Sequence, residues 1–247
     1  MYIILANIIL LPILLYMLLA WFLYRVGNFI PYTIPLQKID TDKFLSDTKH
    51  LTTHYHNELL ENGFRLQQAY FADMNKNDNY IAIYLNPSYP TLAANITYLS
   101  NQVQPLKMCY IELTERYQDG TWINVNNAGQ SGAFPYFSDF PAFYLEKNLS
   151  LSELISIQKQ LATKLKIHTH AIPASPLEDY AQVINHITQR ICENLIKQGW
   201  TTGEILADNS YRFSYKGTLL SMYRFLPITK NWAWQYRKNK MLKILNQ

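Results

Sequence analysis

The sequence has 247 residues, of which 14% are aromatic and only 16% are charged, and its formal net charge is +4. Disordered chains have few aromatic and many charged residues, so this composition excludes disorder. Eight glycines and two cysteines also exclude collagen-like chains and small disulfide scaffolds. The predicted elements are therefore those of a folded protein.

The N-terminal segment predicts a membrane anchor. Residues 3–24 contain no charged residue, and a helix of roughly 22 residues spans about 33 Å, enough for a hydrocarbon core of about 30 Å. Trp21 stands at the far end, where aromatic residues mark the headgroup level. A cleaved signal peptide would need a basic start and a small-residue cleavage site, and the segment has neither. We therefore expect a single transmembrane anchor over residues 1–27.

The distribution of basic residues predicts the orientation of this anchor. No basic residue precedes it, whereas Arg25, Lys38, Lys43 and Lys49 follow it. The positive-inside tendency then places the C-terminal domain in the cytoplasm. The two cysteines do not form a disulfide framework, which fits a reducing compartment.

A linker and one domain are predicted beyond the anchor. Residues 28–40 contain two prolines and no clear period, which indicates a juxtamembrane linker. Residues 41–247 predict an α+β domain, in which an antiparallel sheet with packed helices precedes a C-terminal helical part with one hairpin. Its first helix covers residues 41–62 and ends at Gly63.

Strands and further helices follow in this domain. Asp119 and Gly120 predict a tight hairpin turn. Capping boxes that begin at Ser150 and at Ser175 predict helices to about residue 165 and to residue 198. The strand-like runs are residues 64–72, 80–85, 95–99, 108–117 and 121–125, and a hairpin turning at 208–209 precedes helices over 218–226 and 233–245.

No motif with a recognised chemistry is present. His50 and His54 have a spacing that can hold a metal ion on a helix, but the glutamate of a zinc-protease motif is missing. The sequence has no nucleophile elbow and no glycine-rich phosphate loop. Glu112 and Glu115 lie three apart on a strand and therefore face opposite sides of the sheet. We accordingly assign no catalytic residue, cofactor or metal ion.

An aromatic loop over residues 126–141 is a candidate contact surface for a protein partner. Its candidate residues are Phe134, Tyr136, Phe137 and Phe140, and exposed aromatic residues are enriched at partner surfaces. The alternative is that the loop folds back and caps the sheet.

The C-terminal segment 209–247 is strongly basic. It carries eight basic residues and no acidic one. Aromatic and basic residues on one short segment suit the headgroup zone of an anionic membrane; nucleic-acid binding and a merely solvated tail are the alternatives. The candidate membrane-surface residues are Trp232, Trp234, Arg237, Lys238, Lys240 and Lys243.

Two segments carry resemblances. Residues 112–127 (ELTERYQDGTWINVNN) and 211–217 (YRFSYKG), followed by RFLP at 224–227, resemble a group of uncharacterised bacterial proteins with one N-terminal membrane helix. This resemblance implies a bacterial, membrane-tethered protein and carries no activity. Residues 203–217 also resemble the wing of a winged-helix domain, although the acidic residues of the preceding helix disfavour DNA binding.

Together these features favour a single-pass, non-catalytic accessory or scaffolding subunit of a bacterial inner-membrane complex. Its expected partners are membrane lipid and another membrane-protein subunit. The alternatives are an enzyme at the membrane surface whose pocket no motif reveals, and a membrane-tethered winged-helix-like protein that binds nucleic acid.

Overall fold

A large mixed sheet lies at the centre of the computed structural model, which describes residues 29–74, 77–101, 107–129, 135–165, 167, 169–225 and 229–246, together with residues 15, 17–19, 21, 22 and 25. The fold is α+β. Its elements in chain order are β1 (Phe29–Pro31), β2 (Gln37–Ile39), α1 (Thr41–Glu61), β3 (Arg65–Met74), β4 (Asn77–Leu85), β5 (Leu92–Asn101), β6 (Lys107–Arg116), β7 (Trp122–Asn126), β8 (Ala142–Tyr144), α2 (Leu151–Lys164), α3 (Tyr180–Lys197), β9 (Thr201–Ile205), β10 (Ser210–Phe213), α4 (Tyr215–Phe225) and α5 (Lys230–Leu245).

The large sheet contains seven strands in the order β2 to β8. Strands β2 to β7 pair antiparallel with their sequence neighbours, and β8 lies parallel to β7. Because side chains alternate along a strand, one set of residues points to each face. Three further strands, β1, β10 and β9, form a separate small sheet.

The first face of the large sheet is covered by α1 and α2 and by part of α5. Ile96 of β5 and Ile111 and Leu113 of β6 point to this face and are fully buried, together with Leu59 of α1 and Leu154 of α2. Burial of this kind stabilises a fold by about 25 cal/mol per Å² of apolar surface. This layer is the main apolar core.

Several predicted boundaries are confirmed. Helix α1 is followed by Gly63, whose φ of +82° favours glycine. The capping box of Ser150 and Glu153 opens α2. Gly120, with a φ of +81°, turns β6 into β7. These signals are local, so they depend little on the rest of the molecule.

The segment predicted as a linker, residues 28–40, contributes to both sheets. Strand β1 pairs with β10, and Ile30 is only 2% exposed among Cys192, Trp200 and Tyr211. Strand β2 pairs with β3. Proline is tolerated at Pro31 because an edge strand needs its N–H groups on one side only. These residues are therefore part of the folded domain.

The start of α3 also differs from the prediction. The helix begins at Tyr180 with Asp179 as its N-cap, whose carboxylate accepts a hydrogen bond of 3.0 Å from the Ala181 N–H. Ser175 instead accepts a hydrogen bond from the Leu177 N–H in a turn. The predicted second capping box is wrong, because the carboxylate of Glu178 is held by a side chain of the sheet.

The predicted anchor lies mostly outside the described residues. Within the part of the chain that the structure describes, no helix combines the length and the apolar run needed to cross a bilayer.

Candidate functional site

A cavity of about 320 Å³ lies between the second face of the large sheet and α3. The helix presents Ile184, Ile187 and Ile191 to it, three or four residues apart and all half-buried. Small and polar residues of β5, including Ala93 and Asn95, stand on the sheet side. We call this space the central cavity. Its size is at the lower end of the range for small-molecule pockets, about 300–1,000 Å³.

The polar centre of this cavity is Glu112. The register pairs Asn95 of β5 with Glu112 of β6, and the Asn95 Nδ2 atom donates a hydrogen bond of 3.3 Å to the Glu112 Oε1 atom. Asn124 of β7 is a second hydrogen-bond partner of the carboxyl, and its own Oδ1 atom accepts from the Asn126 amide at 3.2 Å. The two strands that flank β6 thus place amide groups around one carboxyl group.

The surroundings favour the neutral form of this carboxyl. Burial raises the pKa of Glu112, and the hydrogen bonds from Asn124 and Asn95 lower it by less. Burial also raises the pKa of Tyr110, and the nearby charge of Glu112 adds to that increase. The cavity therefore holds a carboxyl that can donate a proton to a ligand, or accept one from it, more easily than an exposed glutamate near neutral pH.

The cavity opens toward solvent beside the N-terminal half of α3. Arg116, Trp122 and Val183 line both the cavity and an open polar groove. Arg116 forms a two-pronged ion pair with Glu178, in which Nη2 lies 2.5 Å from Oε2, and its guanidinium carbon lies 5.6 Å from the centroid of the Trp122 ring. This pair fixes one edge of the opening.

The two glutamates considered in the sequence do face opposite sides. Glu112 lines the central cavity. Glu115 accepts hydrogen bonds from the Tyr117 hydroxyl at 2.6 Å and from the Thr91 hydroxyl at 2.5 Å, and Tyr117 belongs to the core of the first face. They form no paired-carboxylate site.

The described part of the aromatic loop packs against the protein. Phe137 is only 4% exposed, in the cluster around the small sheet. Tyr136 is half-buried and its ring centroid lies 6.0 Å from that of Phe143, while Phe140 packs on Trp122 at 6.2 Å and lines the central cavity. Phe134 lies outside the described residues. The packing matches the alternative in which the loop folds back.

The six candidate membrane-surface residues have different surroundings. Trp232 is 62% exposed, and Lys240 and Lys243 are exposed. The Trp234 Nε1 atom donates a hydrogen bond to the Tyr144 carbonyl at 3.2 Å. Arg237 is half-buried, and Lys238 pairs with Glu146. Helix α5 therefore does not present all six to one surface.

The central cavity was not predicted from the sequence, which indicated only that Glu112 and Glu115 face opposite sides of the sheet. One signal was available: Tyr110 and Trp122 are bulky aromatic residues on the same side of β6 and β7, which indicates that this side is covered. The amide groups that surround the carboxyl come from other strands, and their register is not visible locally.

Comparisons with known proteins add no relative: no protein-family model, curated protein or solved structure matches this chain.

Proposed function

We propose that this protein is a membrane-tethered accessory protein that binds a mainly apolar small molecule in the central cavity. The observation that carries the proposal is the Glu112 carboxyl, which faces an otherwise largely apolar space and is oriented by Asn95 and Asn124. A buried carboxyl costs free energy unless its surroundings satisfy it, so such a group is common where a ligand is recognised.

The chemistry of the walls defines the ligand class. Ile81 and Ile83 of β4 and Ile187 of α3 would contact an apolar body. Glu112 would accept a hydrogen bond from a hydroxyl or amine at one end of the ligand. The cavity size limits the ligand to a small molecule.

The binding test uses 1-aminoanthracene, an apolar fluorophore with one amine. The full chain would be held in lipid nanodiscs, with empty nanodiscs as the blank, and fluorescence sensitised by tryptophan would be recorded. Trp122 lies at the opening of the cavity, so a probe inside it should give a saturable signal. The variant Ile187→Phe, which fills the cavity, should lose that signal.

The matched control is Ile205→Phe, because Ile205 is 52% exposed on β9 and does not line the cavity. It should bind the probe as the wild type does. A signal that persists unchanged in Ile187→Phe would contradict the proposal.

An enzyme that transfers protons is the second candidate. It is favoured by the raised pKa of Glu112 and by the phenol groups of Tyr110 and Tyr144 in the same cavity. A screen of apolar esters and ketones with wild type and Glu112→Gln in parallel would test it. An activity that Glu112→Gln loses while it still binds 1-aminoanthracene would support catalysis, and equal activity in both proteins would exclude this role of Glu112.

The membrane tether is a proposal that depends on the N-terminal sequence. Leu18 and Phe22 are 62% and 55% exposed in helical backbone, which suits side chains that face lipid. The Arg25 Nη1 atom donates a hydrogen bond of 3.2 Å to the Phe213 carbonyl, and Trp21 stacks on Tyr215 with 5.6 Å between centroids. These contacts would hold the anchor against the start of α4.

Reporter fusions would test the proposed topology, with the domain on the cytoplasmic side of a bacterial inner membrane. We expect a C-terminal alkaline phosphatase fusion to be inactive and a C-terminal green fluorescent protein fusion to be fluorescent; the reverse pattern would reject this topology.

Co-purification in mild detergent would test the accessory-subunit role, and recovery only as a free monomer would count against that role.

A further inference from the structure

A second cavity, of about 260 Å³, lies between α4, α5 and β8. Its lining includes Arg224 of α4, Arg237, Lys238 and Lys240 of α5, and the rings of Tyr136 and Tyr144. None of the described residues that line it is acidic. We call it the basic cavity.

Arg237 is a half-buried cation in the wall of this cavity. Its Nη2 atom has no exposed surface and no hydrogen-bond partner among the described residues. The three ion pairs found within the described ranges use Glu178, Asp139 and Glu146, and none involves Arg237. A half-buried guanidinium without a carboxylate is unfavourable, because it has left water without gaining a counter-charge.

The hydrogen-bond partner of Arg237 is a phenol rather than an acid, because its guanidinium donates to the Tyr144 hydroxyl. Its guanidinium carbon lies 5.4 Å from the centroid of the Tyr144 ring. Among the described residues, Tyr144 is the ionisable group that acts on its charge, and burial lowers the pKa of Arg237. The guanidinium still remains charged at neutral pH. The site therefore has a permanent positive charge held in place by the wall of the cavity.

Two other cations add positive charge to the same cavity. The guanidinium carbon of Arg224 lies 4.7 Å from the centroid of Trp200, and the Lys240 Nζ atom lies 3.7 Å from the centroid of Tyr136. Aromatic rings attract cations but do not neutralise them. Lys238 also lines the cavity and has Glu146 as its ion-pair partner. Arg224, Arg237 and Lys240 thus bring three positive charges to one cavity.

We propose that the basic cavity binds an oxyanion of the phosphate type, with Arg237 as its main contact and Arg224 and Lys240 beside it. Guanidinium groups match the geometry of phosphate oxygens in a two-pronged arrangement. Tyr223 and Tyr236 also line the cavity and are 44% and 72% exposed, so the cavity can be reached from solvent beside them. The proposal does not depend on what the central cavity binds.

The phosphate group has two possible sources, a soluble phosphate compound or the headgroup of an anionic lipid. The test therefore has two arms with the full chain in nanodiscs. The first uses neutral phosphatidylcholine nanodiscs and adds inorganic phosphate, with chloride at equal ionic strength as the reference. The second omits phosphate and adds phosphatidylglycerol to the nanodiscs. Each arm measures the thermal unfolding midpoint by tryptophan fluorescence.

We expect a saturable rise of the midpoint in at least one arm. In that arm Arg237→Met should weaken the apparent affinity about tenfold or more, since hydrogen bonds to charged groups are the strong ones. The matched control is Arg212→Met, because Arg212 is exposed on β10 and lies outside the cavity. It should respond as the wild type does.

A rise with inorganic phosphate would assign the site to a soluble ligand, and a rise only with phosphatidylglycerol would assign it to a lipid. If Arg237→Met does not fold, Lys240→Met replaces it, because Lys240 is exposed and its loss should weaken binding while the fold is kept. The absence of any rise in the wild type in both arms would overturn the proposal. An equal rise in wild type and the cavity variants would overturn it as well.

Discussion

Glu112 has surroundings that are unusual for a carboxylate on a strand, because it faces the central cavity rather than open solvent. Burial raises its pKa, while the Asn124 and Asn95 amides partly restore the ionised form. An ordinary surface carboxylate contributes little to stability. For Glu112, by contrast, the shifted pKa makes the free energy of unfolding depend on pH.

The pH dependence of stability should therefore change in Glu112→Gln. Because the folded pKa is raised above the unfolded pKa, the unfolded chain loses this proton first as the pH rises. The wild type then loses stability between the unfolded and the folded pKa, by at most about 1.4 kcal/mol per pH unit for one proton. Glutamine has the shape of the neutral acid and no proton to lose, so Glu112→Gln should gain stability relative to wild type as the pH rises above the unfolded pKa of about 4.3.

Urea unfolding at several pH values measures this difference. The exposed Glu193 of α3 gives the matched control, Glu193→Gln, which should follow the wild type. A constant difference between Glu112→Gln and wild type across the pH range would show that burial does not raise the pKa of Glu112.

At the scale of elements, the sequence predicted what local signals determine. The Asp119–Gly120 hairpin, the end of α1 at Gly63 and the capping box of α2 are each set by residues a few positions apart, and all three are confirmed. The start of α3 was placed wrongly because Arg116, from a strand far away in sequence, holds the Glu178 carboxylate. Long-range contacts of this kind also built the central cavity, which local patterns could not show.

The cap of α3 gives an element-scale prediction. Asp179→Ala should lower the free energy of unfolding by about 1 kcal/mol, because it removes the acceptor of the Ala181 N–H. Ser175→Ala should cost less, since Ser175 stabilises only a turn. Urea unfolding of both variants measures the two values. A larger loss in Ser175→Ala would mean that the helix begins at the predicted capping box.

At the scale of the whole molecule, contacts with the domain are made both by β1 and by Arg25 before it. Residues 26–28 are the only ones between Arg25, which contacts Phe213, and strand β1. The Asn185 side chain of α3 accepts a hydrogen bond of 2.6 Å from the Ile34 N–H and donates one of 3.1 Å to the Ile34 carbonyl. If the preceding segment is a membrane anchor, the domain would have a fixed orientation to the bilayer, with Tyr215 beside the anchor.

A substitution in β1 distinguishes this arrangement from the linker that the sequence predicted. Ile30 is 2% exposed and packs in the cluster around the small sheet, so Ile30→Ala should lower the free energy of unfolding by about 2–4 kcal/mol through lost burial and the cavity left behind. Ile205→Ala is the control in the same sheet, because Ile205 is 52% exposed on β9, and it should change stability by less than about 1 kcal/mol. Urea unfolding of the full chain in nanodiscs gives both values. Equal small losses in the two variants would instead favour the linker that the sequence predicted.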